Sequence, residues 1–392
     1  MLSHQTGVTP GLRTWLLDAV EKGIGIACVA EMISTQYIFG YEVRKRQYEA
    51  YCERGSQFNT TSFPAFHEYS TVPTRSLFYM IYKAASKLNE PQFERDRASI
   101  QIDYLSMDHT FRVSKKIGYT DSVSGKFIKQ YNAICFVMNG KGQIVEYKLT
   151  GSTKMSDIKD VLVKIKDRLS VPLTLMIVDN CCAVKNILRG IFGEQLQVKL
   201  DLFHAVQRFT STMEKHTPLR RQLSREYGLV FRSVKDMNKE RKMHTPDSKE
   251  LLSNLGQFVS KWKKHIGTFP APTANKIHCV FKKIQKHMQC GCLSGIPPKC
   301  GTSTNERFHR VLNNHGLLKQ NKVNIELAQC ALLNAIHRRN TALESEDKIN
   351  QSSWLVRGTG ASFNFKPLDQ VNDKNHGNHF KYYIIFFLLP IN

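Results

Sequence analysis

Three acids occupy positions from which a carboxylate can hold a divalent metal. Asp108 closes the run Gln101-Ile102-Asp103-Tyr104-Leu105-Ser106-Met107-Asp108, and Asp179 closes Leu173-Thr174-Leu175-Met176-Ile177-Val178-Asp179. Glu306 opens a helix-like segment, Asn305-Glu306-Arg307-Phe308-His309-Arg310-Val311-Leu312. Two carboxylates from buried strands and one from a helix suit Mg²⁺ or Mn²⁺, hard cations that take oxygen ligands and leave positions open for water and phosphate. A pair of such ions about 3.5–4 Å apart supports in-line displacement at a phosphodiester. Each acid also has a structural reading: an Asp at a strand end caps turns and helices, and Ser303-Thr304-Asn305-Glu306 fits the S-x-x-E capping box. Both readings stay open at this level.

The elements that must position these acids follow from periodicity. Strand-like runs end at Asp108, cover Tyr131–Met138 and, after the turn Asn139-Gly140-Lys141-Gly142, cover Gln143–Leu149, the last two forming a hairpin. Met155, Ile158, Val161, Leu162, Ile165 and Leu169 keep helical spacing, and Pro172 ends it before the strand Leu173–Val178. A helix through Val184, Ile187, Leu188, Ile191 and Phe192, a strand Leu196–Leu202 and a further helix complete the order β-β-β-α-β-α-β-α. That order predicts an α/β architecture, a mixed sheet with helices on its faces. It is the order of the ribonuclease H-like fold, whose first and fourth strands carry metal-binding acids side by side. Asp108 and Asp179 are therefore expected on adjacent strands, with carboxylates near enough to share a metal.

This reading divides the chain into an N-terminal helical region (1–98), a first part of the ribonuclease H-like core (99–204), a helical basic insertion (205–300), the last part of the core (301–345) and a C-terminal tail (346–392). Within 11–50 a helix-turn-helix is a candidate, and Arg44-Lys45-Arg46 is read as a solvated helix face. The insertion carries Arg220, Arg221, Lys239, Arg241, Lys242, Lys261, Lys263, Lys264, Lys282, Lys283 and Lys286, interleaved with Phe231, Trp262, Phe269 and Phe281. Arg220, Arg221, Lys263, Lys264, Lys282 and Lys283 are the candidate phosphate contacts. A charged helical exterior is the competing reading.

The chain has 56 Lys+Arg against 33 Asp+Glu, a net charge of +23, with 41% hydrophobic residues. That balance implies a folded protein with a polyanionic partner, DNA given the acids, and argues against a disordered basic tail. No signal peptide is read at the start, and the apolar stretch Tyr382–Pro390 is too short to span a bilayer, so no membrane role is expected. The 10 cysteines suggest reduced thiols or metal ligands. Cys279, His287, Cys290, Cys292, Cys300 and His309 hold the zinc candidates, with Cys290, Cys292 and Cys300 the chosen set, although their spacing fits no common finger. Cys181-Cys182 is read as packing.

The sequence resembles the eukaryotic cut-and-paste transposases of the DDE class, the grouping that includes the Mutator, hAT, P and Kolobok superfamilies. The resemblance spans about residues 99–340. It rests on Met107-Asp108-His109-Thr110-Phe111, Ile177-Val178-Asp179-Asn180, Asp201-Leu202-Phe203-His204 and Gly301-Thr302-Ser303-Thr304-Asn305-Glu306-Arg307-Phe308-His309. Those families carry a Cys/Asp-x-x-His signature after the second catalytic Asp and an insertion before the catalytic Glu. The resemblance thus implies Asp108, Asp179 and Glu306 as catalytic metal ligands, Asp201 and His204 as a supporting motif, DNA as substrate, a homo-oligomer when active, and the nucleus as location. The N-terminal DNA-binding domain usual in active members is not legible. Two further readings follow: a domesticated DNA-binding or chromatin protein without turnover, and a structure-specific nuclease of the same fold.

Overall fold

The computed structural model describes residues 10–54, 62–69, 72–214, 217–233 and 243–359, with side chains as far as 345. Its strands are β1 (Leu105–Thr110), β2 (Ile117–Thr120), β3 (Phe127–Lys129), β4 (Ala133–Asn139), β5 (Ile144–Thr150), β6 (Leu175–Val178), β7 (Gln197–Leu200) and β8 (Val323–Asn324). Its helices are α1 (Pro10–Glu21), α2 (Ile26–Arg54), α3 (Phe66–Tyr69), α4 (Arg75–Ala98), α5 (Lys159–Arg168), α6 (Cys181–Phe192), α7 (Leu202–Thr210), α8 (Pro218–Leu229), α9 (Ser248–Gly267), α10 (Ala271–Gln289), α11 (Ser303–Asn314) and α12 (Ile325–Thr359).

The chain separates into two compact units. One comprises Arg95–Lys115 and Lys129–Val311, the other Met1–Glu94, Lys116–Ile128 and Leu312–Asn392. The first unit holds the five-stranded sheet in the order β5-β4-β1-β6-β7. β4 runs antiparallel to β5 and to β1, and β6 runs parallel to β1 and to β7. The architecture is therefore the expected mixed α/β one, with the order and strand directions of a ribonuclease H-like sheet. Placing β6 and β7 parallel on the side of β1 away from β4 requires crossovers, which α5 and α6 supply.

Alternation decides which residues see which layer. On β1, Leu105 and Met107 join the core cluster with Cys135 and Val137 of β4 and Ile177 of β6, so Ser106 and Asp108 lie on the opposite face. That face is covered as well, because β4 is buried along its whole length, and buried strands read as continuous apolar runs. The hairpin forms where Asn139-Gly140-Lys141-Gly142 predicts it, pinned by Asp103, whose Oδ1 accepts from the Gly140 N–H at 2.8 Å.

The residues expected as an insertion fold into α8, α9 and α10, and they share the core of the sheet. Phe209, Tyr227, Phe258 and Phe281 stack into one aromatic cluster, with Phe209–Tyr227 centroids 4.4 Å apart. Phe231, Trp262 and Phe281, which interleave with the basic residues in sequence, are buried and build this core. Their spacing on α8–α10 is helical, so the Lys and Arg between them face outward: Arg221, Lys263, Lys264, Lys282 and Lys283 are exposed and Arg220 is half-buried. Lys239, Arg241 and Lys242 lie outside the described residues, as does the apolar stretch 382–390.

The second unit is helical, with a small sheet in the order β3-β2-β8 that the sequence patterns do not reveal. Its buried polar centre is Glu21, which takes the Tyr82 hydroxyl at 2.9 Å and lies 3.1 Å from His315 Nε2. Segment 11–50 forms two helices joined by a short turn. The second runs for 29 residues, far longer than the recognition helix of a helix-turn-helix. Helix α12, whose first part the sequence reading assigns to the last part of the core (301–345), belongs to this second unit from its first residue. Among the described residues no helix is long and apolar enough to cross a membrane.

Candidate metal centre

Asp108 is buried on β1, and its register partner across the antiparallel pair is Phe136. The ring of Phe136 meets Phe308 of α11 edge-on at 5.2 Å, and Ser106 donates to Asn305 Oδ1 at 3.0 Å. Asn305, Phe308, His309 and Leu312 are all buried, an i, i+3, i+4, i+7 set that lays one stripe of α11 inward. This stripe brings His309 to the face of β1 that carries Asp108, with Glu306 half-buried beside it. Asp108, Glu306 and His309 each offer a ligand atom within 4.8 Å of the others. His309 Nδ1 is 3.7 Å from Glu306 Oε2.

Asp179 follows β6, and β6 runs parallel beside β1 with Met107 opposite Val178. The expected placement of the two Asp residues on adjacent strands is therefore found. Their carboxylates are used differently. Asp179 lies outside the group formed by Asp108, Glu306 and His309, and Arg208 of α7 donates to both its main-chain oxygen and its Oδ1 at 2.6 Å. His204 lies between the two acids, its Nε2 3.6 Å from Asp108 Oδ2 and its Nδ1 3.9 Å from Asp179 Oδ1. Burial opposes a charge on His204, but the contact with Asp108 and the fields of Asp108, Asp179 and Asp201 outweigh it and raise its pKa to about 9. His309 and His109 are shifted the other way, downward, because burial dominates over their acidic neighbours.

Asp201 and His204 have separate tasks. Asp201 is the N-cap of α7, accepting from the His204 N–H at 3.0 Å. Its oxygens also accept from the Thr302 N–H at 3.0 Å and the Thr302 hydroxyl at 2.7 Å. One buried carboxylate thus fixes both the helix that carries His204 and the start of the helix that carries Glu306. Gly301 permits this approach, since a Cβ there would fall 2.8 Å from Asp201 Oδ1. The capping-box reading of Ser303–Glu306 does not match the helix frame. α11 begins at Ser303, so Thr302 is the flanking residue and Glu306 is one position beyond the place a capping box requires.

The donor set fits a hard divalent cation. Among the described residues, Asp108 Oδ2 and His204 Nε2 are buried and face each other at 3.6 Å as an ion pair, and His309 Nε2 is buried with no hydrogen-bond partner, an arrangement that is costly without a further ligand. Sequence reasoning grouped His309 with the zinc candidates, whereas it follows Glu306 by three residues, projects from nearly the same side of the helix and joins Asp108 and Glu306. That reasoning missed Arg208, one turn beyond His204. Of the zinc set, only Cys292 belongs to a potential ligand group, where its companions are Cys181, Cys182 and His287 in place of Cys290 and Cys300. Cys290 is exposed on the turn after α10, and Cys300 is half-buried in the loop before α11. No protein-family model matches the chain, and no curated protein matches it with significant similarity.

Proposed function

We propose that this protein is a Mg²⁺- or Mn²⁺-dependent DNA-processing enzyme of the transposase type, cleaving phosphodiester bonds and transferring strands at the site around Asp108. The observation that carries this reading is the convergence of Asp108, Glu306 and His309 beside the central strand of a ribonuclease H-like sheet, with His309 Nε2 buried and unpartnered. Asp108 and Glu306 would hold the metal, with Asp179 joining once Arg208 lets go. A divalent ion held there supplies a deprotonated water or 3′-hydroxyl and offsets charge on the leaving oxygen.

The remaining work belongs to side chains. His204 keeps its proton at neutral pH and can donate to a phosphoryl oxygen placed between Asp108 and Asp179. Arg208 becomes available to a phosphate when it releases Asp179. Exposed Lys263, Lys264, Lys282 and Lys283 would contact the DNA backbone without reading sequence. Metal-dependent nicking of plasmid DNA, lost in Asp108→Asn, tests the reading.

The Arg208–Asp179 pairing favours a second one. A cation fixed on the second acid is what a DNA-binding descendant without turnover would retain. Such a protein would bind DNA with a strong salt dependence and leave it intact with either metal. Nuclease activity without joining of DNA ends would instead indicate a structure-specific nuclease of the same fold.

A further inference from the structure

A second group of metal-ligating side chains lies on the other side of the turn that follows β6. Cys181 and Cys182 are the first two residues of α6, His287 is in the last turn of α10, and Cys292 follows α10 beside β7. Their ligand atoms all lie within 4.8 Å of one another. Cys182 Sγ is 3.3 Å from His287 Nδ1 and 3.5 Å from Cys292 Sγ. Cys181 Sγ is 3.6 Å from His287 Nδ1 and 3.9 Å from Cys182 Sγ. A tetrahedral zinc with its usual Zn–S and Zn–N lengths sets ligand atoms about 3.5–3.8 Å apart. The four separations given, 3.3–3.9 Å, lie near the edges of that tetrahedron, and they are far longer than the S–S bond of about 2.05 Å in a disulfide.

The backbone explains why such distant residues meet. α10 ends in a left-handed cap: Gly291 has φ +70°, its N–H donates to the Met288 carbonyl, and the Cys292 N–H donates to the His287 carbonyl at 2.9 Å. This cap folds Cys292 back beside His287. The Cys292 carbonyl then accepts from the Leu200 N–H at 2.9 Å, and Lys199 Nζ donates to the Gly291 carbonyl at 2.9 Å, so the turn is docked on β7. β7 is the neighbour of β6, and the start of α6 presents both adjacent cysteines across that gap.

We propose that Cys181, Cys182, His287 and Cys292 bind one structural zinc ion, in a three-cysteine, one-histidine site that fastens the last helix of the insertion to the turn carrying Asp179. Binding displaces the thiol protons to solvent and takes His287 as the neutral imidazole through Nδ1. All four ligand positions are filled by protein, as structural zinc requires, so no place is left for substrate. The ion would hold Asn180 and Asp179 in register with α10, and its presence does not depend on nuclease activity.

The test is the metal content of the full chain purified without added metal or chelator. About one zinc per chain is expected in the wild type, in Asp108→Asn and in Glu306→Gln, and a drop to near zero in Cys182→Ser and in Cys292→Ser. Because a cysteine variant could fail to fold, cobalt is exchanged into the intact wild type, where thiolate-to-cobalt charge transfer and intense tetrahedral d–d bands are expected. A wild type without stoichiometric zinc or those bands would overturn the proposal. So would zinc that is retained in both cysteine variants or lost in Glu306→Gln, or a Cys182–Cys292 disulfide found by non-reducing mass spectrometry.

Discussion

Arg208 sets one guanidinium nitrogen 2.6 Å from both the main-chain oxygen and Oδ1 of Asp179. A metal shared between Asp108 and Asp179 must compete with this cation for the same carboxylate. Arg208→Gln is therefore expected to tighten Mn²⁺ binding about fivefold, corresponding to roughly 1 kcal/mol for a half-exposed ion pair. Titration calorimetry of the two proteins in parallel checks it. Equal affinities would show that Asp179 takes no part in holding the ion.

His204 should make stability depend on pH in the chelator-treated protein. Its pKa of about 9 in the folded chain exceeds its ordinary value of 6.5. A base whose pKa is raised by folding contributes fully below pH 6.5, and that contribution is lost as pH rises through 9. The melting temperature of the wild type should fall from pH 7 to pH 9.5, roughly, while His204→Gln should show a flatter profile. Identical profiles would mean that the ion pair with Asp108 contributes nothing to stability.

Glu146 on β5 is a buried acid among three cations, 3.2 Å from Arg97, 3.3 Å from Lys164 and 4.0 Å from Arg168. Its removal leaves the buried guanidinium of Arg97 with less compensation, so Glu146→Ala should destabilise the protein by about 3 kcal/mol. Denaturant unfolding measures this. A change smaller than about 1 kcal/mol would place the pair with surface ion pairs.

How much of this site is legible in the sequence depends on the range of the signal. The strands ending at Asp108 and Asp179 are legible because buried strands are short apolar runs, and their adjacency follows from the element order. Glu306 is legible as an acid at a helix start, but its neighbour His309 gains meaning only once α11 is known to press Phe308 onto Phe136. Arg208 on Asp179 and Cys181 beside His287 are contacts between residues far apart in the chain, and no local spacing encodes them. The short strands β2, β3 and β8 have at most four residues each, too few to establish a period. In the insertion, the interleaving of aromatic residues with Lys and Arg is legible in the sequence, but that the helical period turns Phe231, Trp262 and Phe281 into the core shows only in the structure.

The exposed lysines of α9 and α10 allow DNA binding to be tested apart from cleavage. Replacing Lys263, Lys264, Lys282 and Lys283 together by Gln should weaken binding equally for unrelated DNA sequences. It should also reduce the slope of log affinity against log salt by about 0.9 for each phosphate that is no longer neutralised. An unchanged slope would mean that α9 and α10 do not touch the backbone.

The most direct measurement is nicking of supercoiled plasmid in Mg²⁺ or Mn²⁺ by the wild type and by Glu306→Gln, with thermal unfolding of both. Gln keeps the size and hydrogen-bonding capacity of Glu but lacks the charge that holds a divalent cation. Metal-dependent nicking is expected of the wild type, with an unchanged melting temperature in Glu306→Gln and a fall in its nicking rate of more than about 100-fold, on the scale of removing one transition-state interaction. Nicking by Glu306→Gln at the wild-type rate would contradict the assignment of Glu306 to the metal centre.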